Sequence, residues 1–231
     1  MKLVFIHGSG GAGTLWHFQT QYFRDADAVD LPGHPEGKLC TSIEEYTEWL
    51  HGYLNRKNYR DVVLAGHSLG GGIVLNYALR YTQDLKGIIL VGAGARLRVL
   101  PLILEAIKGK LDDTQGWLKD LVIPFYTTVN AKTREMLMPK LAAVGPEAQL
   151  NDLLCCDRFD VMDKIGQINL QALAIVGDQD TMTPVKYSQY LVKNMPRCRM
   201  VVIEGGSHQV FLEKPEAVNK AIEGFLKEIA S

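Results

Sequence analysis

The chemistry this chain could do begins at Ser68. It lies in DVVLAGHSLGGGIVLNYALRY, Asp61 to Tyr81, where a β-branched run stops at Gly66 and helical periodicity starts at Leu69. Residues 66–70, GHSLG, fit G-x-S-x-G, a pattern that is informative only where a buried strand turns into a helix. The context predicts a strained turn that lifts the serine hydroxyl clear of the sheet. Gly66 and Gly70 flank it because a Cβ at either place would strike backbone. The Leu69 amide, opening the helix, is then aimed at whatever oxygen Ser68 attacks.

A hydroxyl needs a base to take its proton. His7, His17, His34 and His51 precede the serine, His67 adjoins it, and His208 follows the last apolar run in IEGGSHQVF. The loop carrying His208 leaves the sheet at the edge where Ser68 sits, so His208 is the expected base. His67 is expected to be structural, because neighbouring side chains diverge at a sharp turn. An imidazole in this role needs a carboxylate on its other nitrogen. AIVGDQDTMTP offers Asp178, expected to cap the turn, and Asp180, with the better reach toward His208. The oxyanion requires a second donor besides Leu69. HGSGGAG, after the first apolar run, is glycine-rich enough to bring amides close to a ligand. Its GSGGAG (8–13) also fits G-x-G-x-x-G, with Asp30 ending the second run, so this loop alone leaves a dinucleotide site open.

These residues need a frame. Apolar runs LVFIHG (3–8), DAVDLPG (27–33), DVVLAG (61–66), GIILVGAGA (87–95), ALAIVGD (172–178) and RMVVIEGG (199–206) are continuous rather than alternating, as in strands buried on both faces of a parallel sheet. Helical stripes lie between them: Ile43, Tyr46, Leu50, Tyr53 and Leu54; Leu69, Ile73, Tyr77 and Tyr81; and Val218, Ile222, Phe225, Leu226 and Ile229 after Pro215. The alternation predicts a doubly wound α/β sheet. It breaks between about Arg96 and Asn169, where helical segments divided by Pro124, Pro139 and Pro146 read as an insertion over one end of the sheet.

With 25 Lys+Arg scattered against 26 Asp+Glu, the chain lacks the basic footprint of a nucleic-acid or anionic-membrane binder. The apolar start in MKLVFIHGSGG is too short for a signal peptide, and no run is long enough to span a membrane. Cys40, Cys155, Cys156 and Cys198 show no metal-ligand spacing and read as reduced packing residues of a cytoplasmic protein.

In series, HGSGGAGTLW, DLPGHP, GHSLGGG, GDQDTMTP and EGGSHQVFLEKPE resemble the motifs of the α/β-hydrolase fold superfamily, most closely its small esterase, lactonase and cofactor-free haloperoxidase-like members. The similarity spans nearly the whole chain and is weakest in 96–169. It implies a core of 1–95 and 170–231 with a helical cap at 96–169, and six parallel strands in the order 2-1-3-4-5-6. The N-terminal hairpin common in the family is not expected in this sheet. The family's chain order of serine, acid and histidine supports Ser68, Asp180 and His208. Carry-over of the motif assigns the oxyanion donors to the amides of Ser9 and Leu69, with Gly10 as fallback for the first, and makes Asp30 a turn residue. The nucleophile position holds Ser rather than the Asp of haloalkane dehalogenases and epoxide hydrolases, and the HGGPG of proline iminopeptidases is absent.

The implied activity is serine-dependent hydrolysis of a small or medium apolar acyl or aryl ester, needing no cofactor or metal. Lactone opening, perhydrolysis, thioester cleavage and C–C hydrolysis use the same machinery, and a non-catalytic small-molecule receptor could occupy the same fold. Leu102, Ile103, Ile107, Trp117, Leu121, Phe125, Met136, Met138 and Leu153 are the candidate apolar pocket lining. The sequence does not set the oligomeric state.

Overall fold

Each continuous apolar run forms a strand. The computed structural model describes residues 1–230. Strands β1 (Lys2–Ile6), β2 (Ala26–Val29), β3 (Val62–His67), β4 (Leu85–Val91), β5 (Gln171–Gly177) and β6 (Cys198–Ile203) make one sheet in the order β2-β1-β3-β4-β5-β6. Every neighbouring pair is parallel, as the sequence implied.

Side chains alternate across a strand, so a sheet buried on both sides needs two cores. Val4, Ile6, Leu64, Ile88, Leu90 and Ala174 pack in one cluster with residues of α2 (Ile43–Arg56), α3 (Leu69–Arg80) and α7 (Val185–Asn194). Leu3, Phe5, Val63, Ala65, Ile89 and Leu173 pack in the other, with α8 (Val210–Glu213) and α9 (Pro215–Ala230). Trp16, just before α1 (His17–Tyr22), anchors that second face, its ring 4.7 Å from Phe5 and 4.2 Å from Phe211. Local chemistry starts and shapes the helices. Ser42 accepts the Glu45 amide at 3.1 Å to cap α2. α3 is buried all the way from Leu69 to Ala78, which is why its sequence is apolar on every side.

Between β4 and β5 run α4 (Pro101–Lys108), α5 (Thr114–Trp117), a π-turn at Leu118–Val122, a 3-10 turn at Ile123–Tyr126 and α6 (Ala131–Arg158). The expected division at Pro139 does not occur: the helix carries that proline within it. The break falls at Gly145, with φ +82°, and Pro146 opens the second half, where its missing N–H costs nothing. Among the described residues no helix is long and apolar enough to cross a membrane.

Candidate active site

The strand order prepares a crevice. Connections leave β1 and β3 toward opposite sides of the sheet, so their C-terminal ends flank a gap. Ser68 stands at one side of it, with φ +52° and ψ −113°, a conformation costly for any residue but glycine. Its amide donates to the Val91 carbonyl at 3.1 Å, and its carbonyl accepts from Gly71 and Gly72 at 2.9 and 3.2 Å. The flanking glycines are obligatory. A Cβ on Gly66 would lie 2.2 Å from the Gly70 oxygen, and one on Gly70 would lie 2.4 Å from the Ile6 oxygen.

Asp180 and His208 come together beyond β5 and β6. The His208 Nδ1–H donates to Asp180 Oδ2 at 2.9 Å. Thr183 donates its hydroxyl to the same oxygen at 2.8 Å, and the amides of Met182 and Thr183 donate to Oδ1 at 2.9 and 2.8 Å. Burial works to raise this carboxyl, but the hydrogen bonds and charge of His208, with those of Thr183, outweigh it and hold the group down at about 2. With Nδ1 engaged, Nε2 of His208 is the nitrogen left to exchange a proton. Asp178 is exposed and accepts the Gly205 amide at 2.8 Å, as a turn cap does. His67 hydrogen-bonds the His208 carbonyl through Nε2 at 2.9 Å, and burial first, then the charge of His208, brings it down to about 3. It therefore braces the His208 loop as a neutral ring.

The glycine-rich loop after β1 forms the other wall. His7 Nε2 accepts the Leu31 amide at 3.1 Å, so Nδ1 carries the proton and donates to the Gly8 carbonyl at 2.8 Å. That carbonyl also accepts from Gly11 at 3.1 Å. In a trans peptide the N–H opposes the C=O, so clamping the Gly8 oxygen aims the Ser9 amide the other way. Among the described residues, neither the Ser9 nor the Leu69 amide donates to another group. Gly10 is different. Its amide donates to Asp152 Oδ2 at 2.9 Å, which removes it as the alternative donor. The Asp30 carboxylate accepts the Gly13 amide at 2.7 Å and so holds this loop rather than facing away from it.

Ser9, Ser68 and His208 line one cavity of about 400 Å³, whose remaining wall is largely apolar. Leu102, Ile103, Ile107, Leu121, Phe125 and Leu153 belong to it. Trp117, Met136 and Met138 do not: Trp117 is fully buried and donates to Gln149 Oε1 at 2.6 Å, Met136 is exposed, and Met138 faces a separate groove beside α6. No lysine or arginine lines the cavity, and its one carboxylate, Asp120, is paired with Lys110 at 2.9 Å. No thiol competes with Ser68, since burial pushes Cys40 and Cys198 up to about 11 and Cys155 to about 12. Among the described residues no group of three or more His, Cys, Asp and Glu side chains is placed to hold a metal ion.

Sequence reasoning missed Thr183, Gly92 and Asp152. Thr183 had a signal, three residues after Asp180 in a turn-forming TMTP. Gly92 has φ +50°, and a Cβ on it would lie 3.2 Å from Asp180 Oδ2 and 3.3 Å from His208 Nδ1, so its small size makes room for that pair.

Comparison with known proteins agrees with this architecture. The alpha/beta hydrolase family profile matches residues 3–221. The chain is similar to the dihydrolipoyllysine-residue acetyltransferase component of an acetoin cleaving system from Pseudomonas putida, 26% identical across 98% of this chain, and it spans only 63% of that relative's length. It is similar to a pimeloyl-[acyl-carrier protein] methyl ester esterase from Aeromonas hydrophila, 27% identical across 97% of this chain and 94% of the relative. Among solved structures, a thermophilic esterase is 32% identical with a TM-score of 0.84, covering 99% of this chain and 90% of its own. With the family profile matching residues 3–221, nearly the full length, the chain belongs to the alpha/beta hydrolase family.

Proposed function

We propose that this protein is a serine-dependent carboxylic ester hydrolase acting on small or medium apolar acyl or aryl esters. The observation that carries this reading is that Ser9, Ser68 and His208, whose ring is bonded to Asp180, line a single, largely apolar cavity, and that the Ser9 and Leu69 amides donate to no other group among the described residues. The esterases among its relatives support the same class.

Ser68 attacks the acyl carbon as His208 Nε2 takes its proton, and Asp180 stabilises the imidazolium through Nδ1–H. Negative charge then develops on the carbonyl oxygen between the two amides, one of them at the N-terminus of α3. Each such donor lowers the barrier by about 3 kcal/mol. His208 returns the proton to the leaving alcohol. Water, deprotonated by the same ring, attacks the acyl-enzyme and releases the acid and Ser68. A neutral acyl chain suits a wall with no basic side chain besides histidine, because an anionic group there would be buried without a partner.

A p-nitrophenyl ester series of increasing acyl length, run beside a fluorophosphonate probe, tests the reading. Stoichiometric labelling at Ser68 and loss of turnover by several powers of ten in Ser68→Ala are expected. Near-normal hydrolysis by Ser68→Ala would overturn the mechanism, and ligand binding with neither labelling nor turnover would make the protein a receptor instead.

A further inference from the structure

Asp152 is completely buried in the second half of α6, well along the chain from everything it touches. Its Oδ2 accepts the Gly10 amide at 2.9 Å and lies 2.8 Å from His34 Nε2, while Oδ1 accepts the Tyr46 hydroxyl at 2.8 Å. A carboxylate with no access to water survives only when donors surround it, and three separate parts of the core supply them here. They are the glycine-rich loop, the loop after β2, and α2. His34 is held from its other side, where Nδ1 lies 3.2 Å from the carbonyls of Leu31 and Pro32.

The contact with Gly10 bears on the chemistry. The Ser9 amide belongs to the Gly8–Ser9 peptide, whose oxygen His7 and Gly11 hold. The next peptide, Ser9–Gly10, is held by Asp152 alone, through its N–H. Both planes flanking the Ser9 Cα are thus clamped. Gly10 adopts φ +61°, and a Cβ there would press to 2.9 Å from Gln149 Cβ, so the loop runs hard against α6. Ser9 Oγ donates to the Gln149 carbonyl at 3.3 Å, a second tie between the same two segments.

We infer that Asp152 is a positioning residue: by holding the Gly10 amide it keeps the Ser9 amide aimed into the cavity, and so makes the oxyanion site depend on the seating of α6. The inference rests on the proposed role of the Ser9 amide. Leu153 and Gln149, beside it on α6, line the cavity, so the helix that shapes the acyl wall also sets the donor.

The test is Asp152→Leu in the full chain, a change of similar shape that leaves no side-chain oxygen for the Gly10 amide, assayed with p-nitrophenyl butyrate. A donor that acts on the transition state and not on the bound ester lowers kcat and spares KM. The expected result is a 10- to 100-fold fall in kcat with KM changed less than about threefold. Inactivation by a fluorophosphonate should slow by a similar factor while still ending at Ser68. Tyr77→Phe, which removes a buried hydroxyl bonded to Asp84 at 2.8 Å far from the loop, controls for general loosening and should leave kcat unchanged. A folded Asp152→Leu with unchanged kcat overturns the inference, as does an equal loss in Tyr77→Phe. Should Asp152→Leu fail to fold, hydrogen exchange at the Gly10 amide of the wild-type protein decides. Protection comparable to the central strands is expected, and exchange at the rate of a surface loop overturns the clamp. Failure of the underlying reading looks different, because the wild-type protein would then neither turn over esters nor label at Ser68.

Discussion

The Nδ1–H of His208 donates to Asp180 Oδ2 at 2.9 Å, and the Thr183 hydroxyl donates to that same oxygen at 2.8 Å. One carboxylate oxygen therefore serves both the ring and the turn that presents it. Asp180→Asn would keep the shape but favour the wrong tautomer, and kcat should fall by about 10⁴. Asp178→Asn alters only the exposed cap on Gly205 and should stay within about threefold of wild type. Steady-state kinetics of the two variants side by side checks this, and equal losses would contradict the assignment.

Strain at Ser68 predicts a trade between stability and activity. Its φ of +52° suits glycine, so Ser68→Gly should be inactive yet more stable by about 1 kcal/mol. Urea unfolding measures the difference. A less stable Ser68→Gly would show that the turn is not under strain.

Two glycines should respond in opposite senses. Gly92→Ala forces a methyl against Asp180 and His208 at a positive φ, and should cost kcat and about 1–2 kcal/mol of stability. Gly224, within α9, has nothing within 4 Å of an added Cβ, so Gly224→Ala should stabilise by up to about 1 kcal/mol. Thermal melts and ester assays on both separate a crowded site from an open one.

Stability should depend on pH at both ends. The folded Asp180 carboxyl is held at about 2 against an ordinary 3.8, so its contribution is present above pH 3.8 and is lost as pH falls through 2. The difference corresponds to about 2 kcal/mol. His34 acts in the other direction. Burial works to lower it, but the hydrogen bond and charge of Asp152 outweigh this and raise it, so its contribution is present below pH 6.5 and fades as pH climbs through the raised value. Unfolding curves across pH should show a shallower acid limb in Asp180→Asn and a flatter alkaline limb in His34→Gln. Unchanged limbs would refute both shifts.

The strands were legible because a parallel sheet buried on both faces demands unbroken apolar runs, and turns must interrupt them; their order was implied by the resemblance to the α/β-hydrolase motifs. GHSLG was legible because the sharp turn leaves no room for a Cβ at Gly66 or Gly70, so the constraint is local and written in adjacent letters. Asp180 and His208 could be proposed because each closes a strand. Asp152 left no such trace. It sits in an ordinary helical stretch, 142 residues from Gly10, and only the packing of α6 on the loop discloses it. The break in α6 falls at Gly145, where the division expected at Pro146 lies, whereas Pro139 reads as an equal interruption yet is carried within the helix. Trp117 and the two methionines were indistinguishable by type from true lining residues, since facing inward and facing the cavity both ask for apolar side chains.

The excursion between β4 and β5 is pinned where it leaves and returns. Arg96 and Asp160 pair as an antiparallel bridge, Val161 donates to the Ala95 carbonyl at 2.8 Å, and Leu97 donates to the Phe159 carbonyl at 3.4 Å. Because β4 and β5 are adjacent, everything beyond that neck could be exchanged for another segment without disturbing the order of the sheet. Such a graft would bring new substrates at little topological cost, provided it carried its own acceptors for the Gly10 amide, His34 and the Tyr46 hydroxyl. A chimera that serves His34 and Tyr46 but lacks an acceptor for the Gly10 amide should fold around its new pocket and still work slowly.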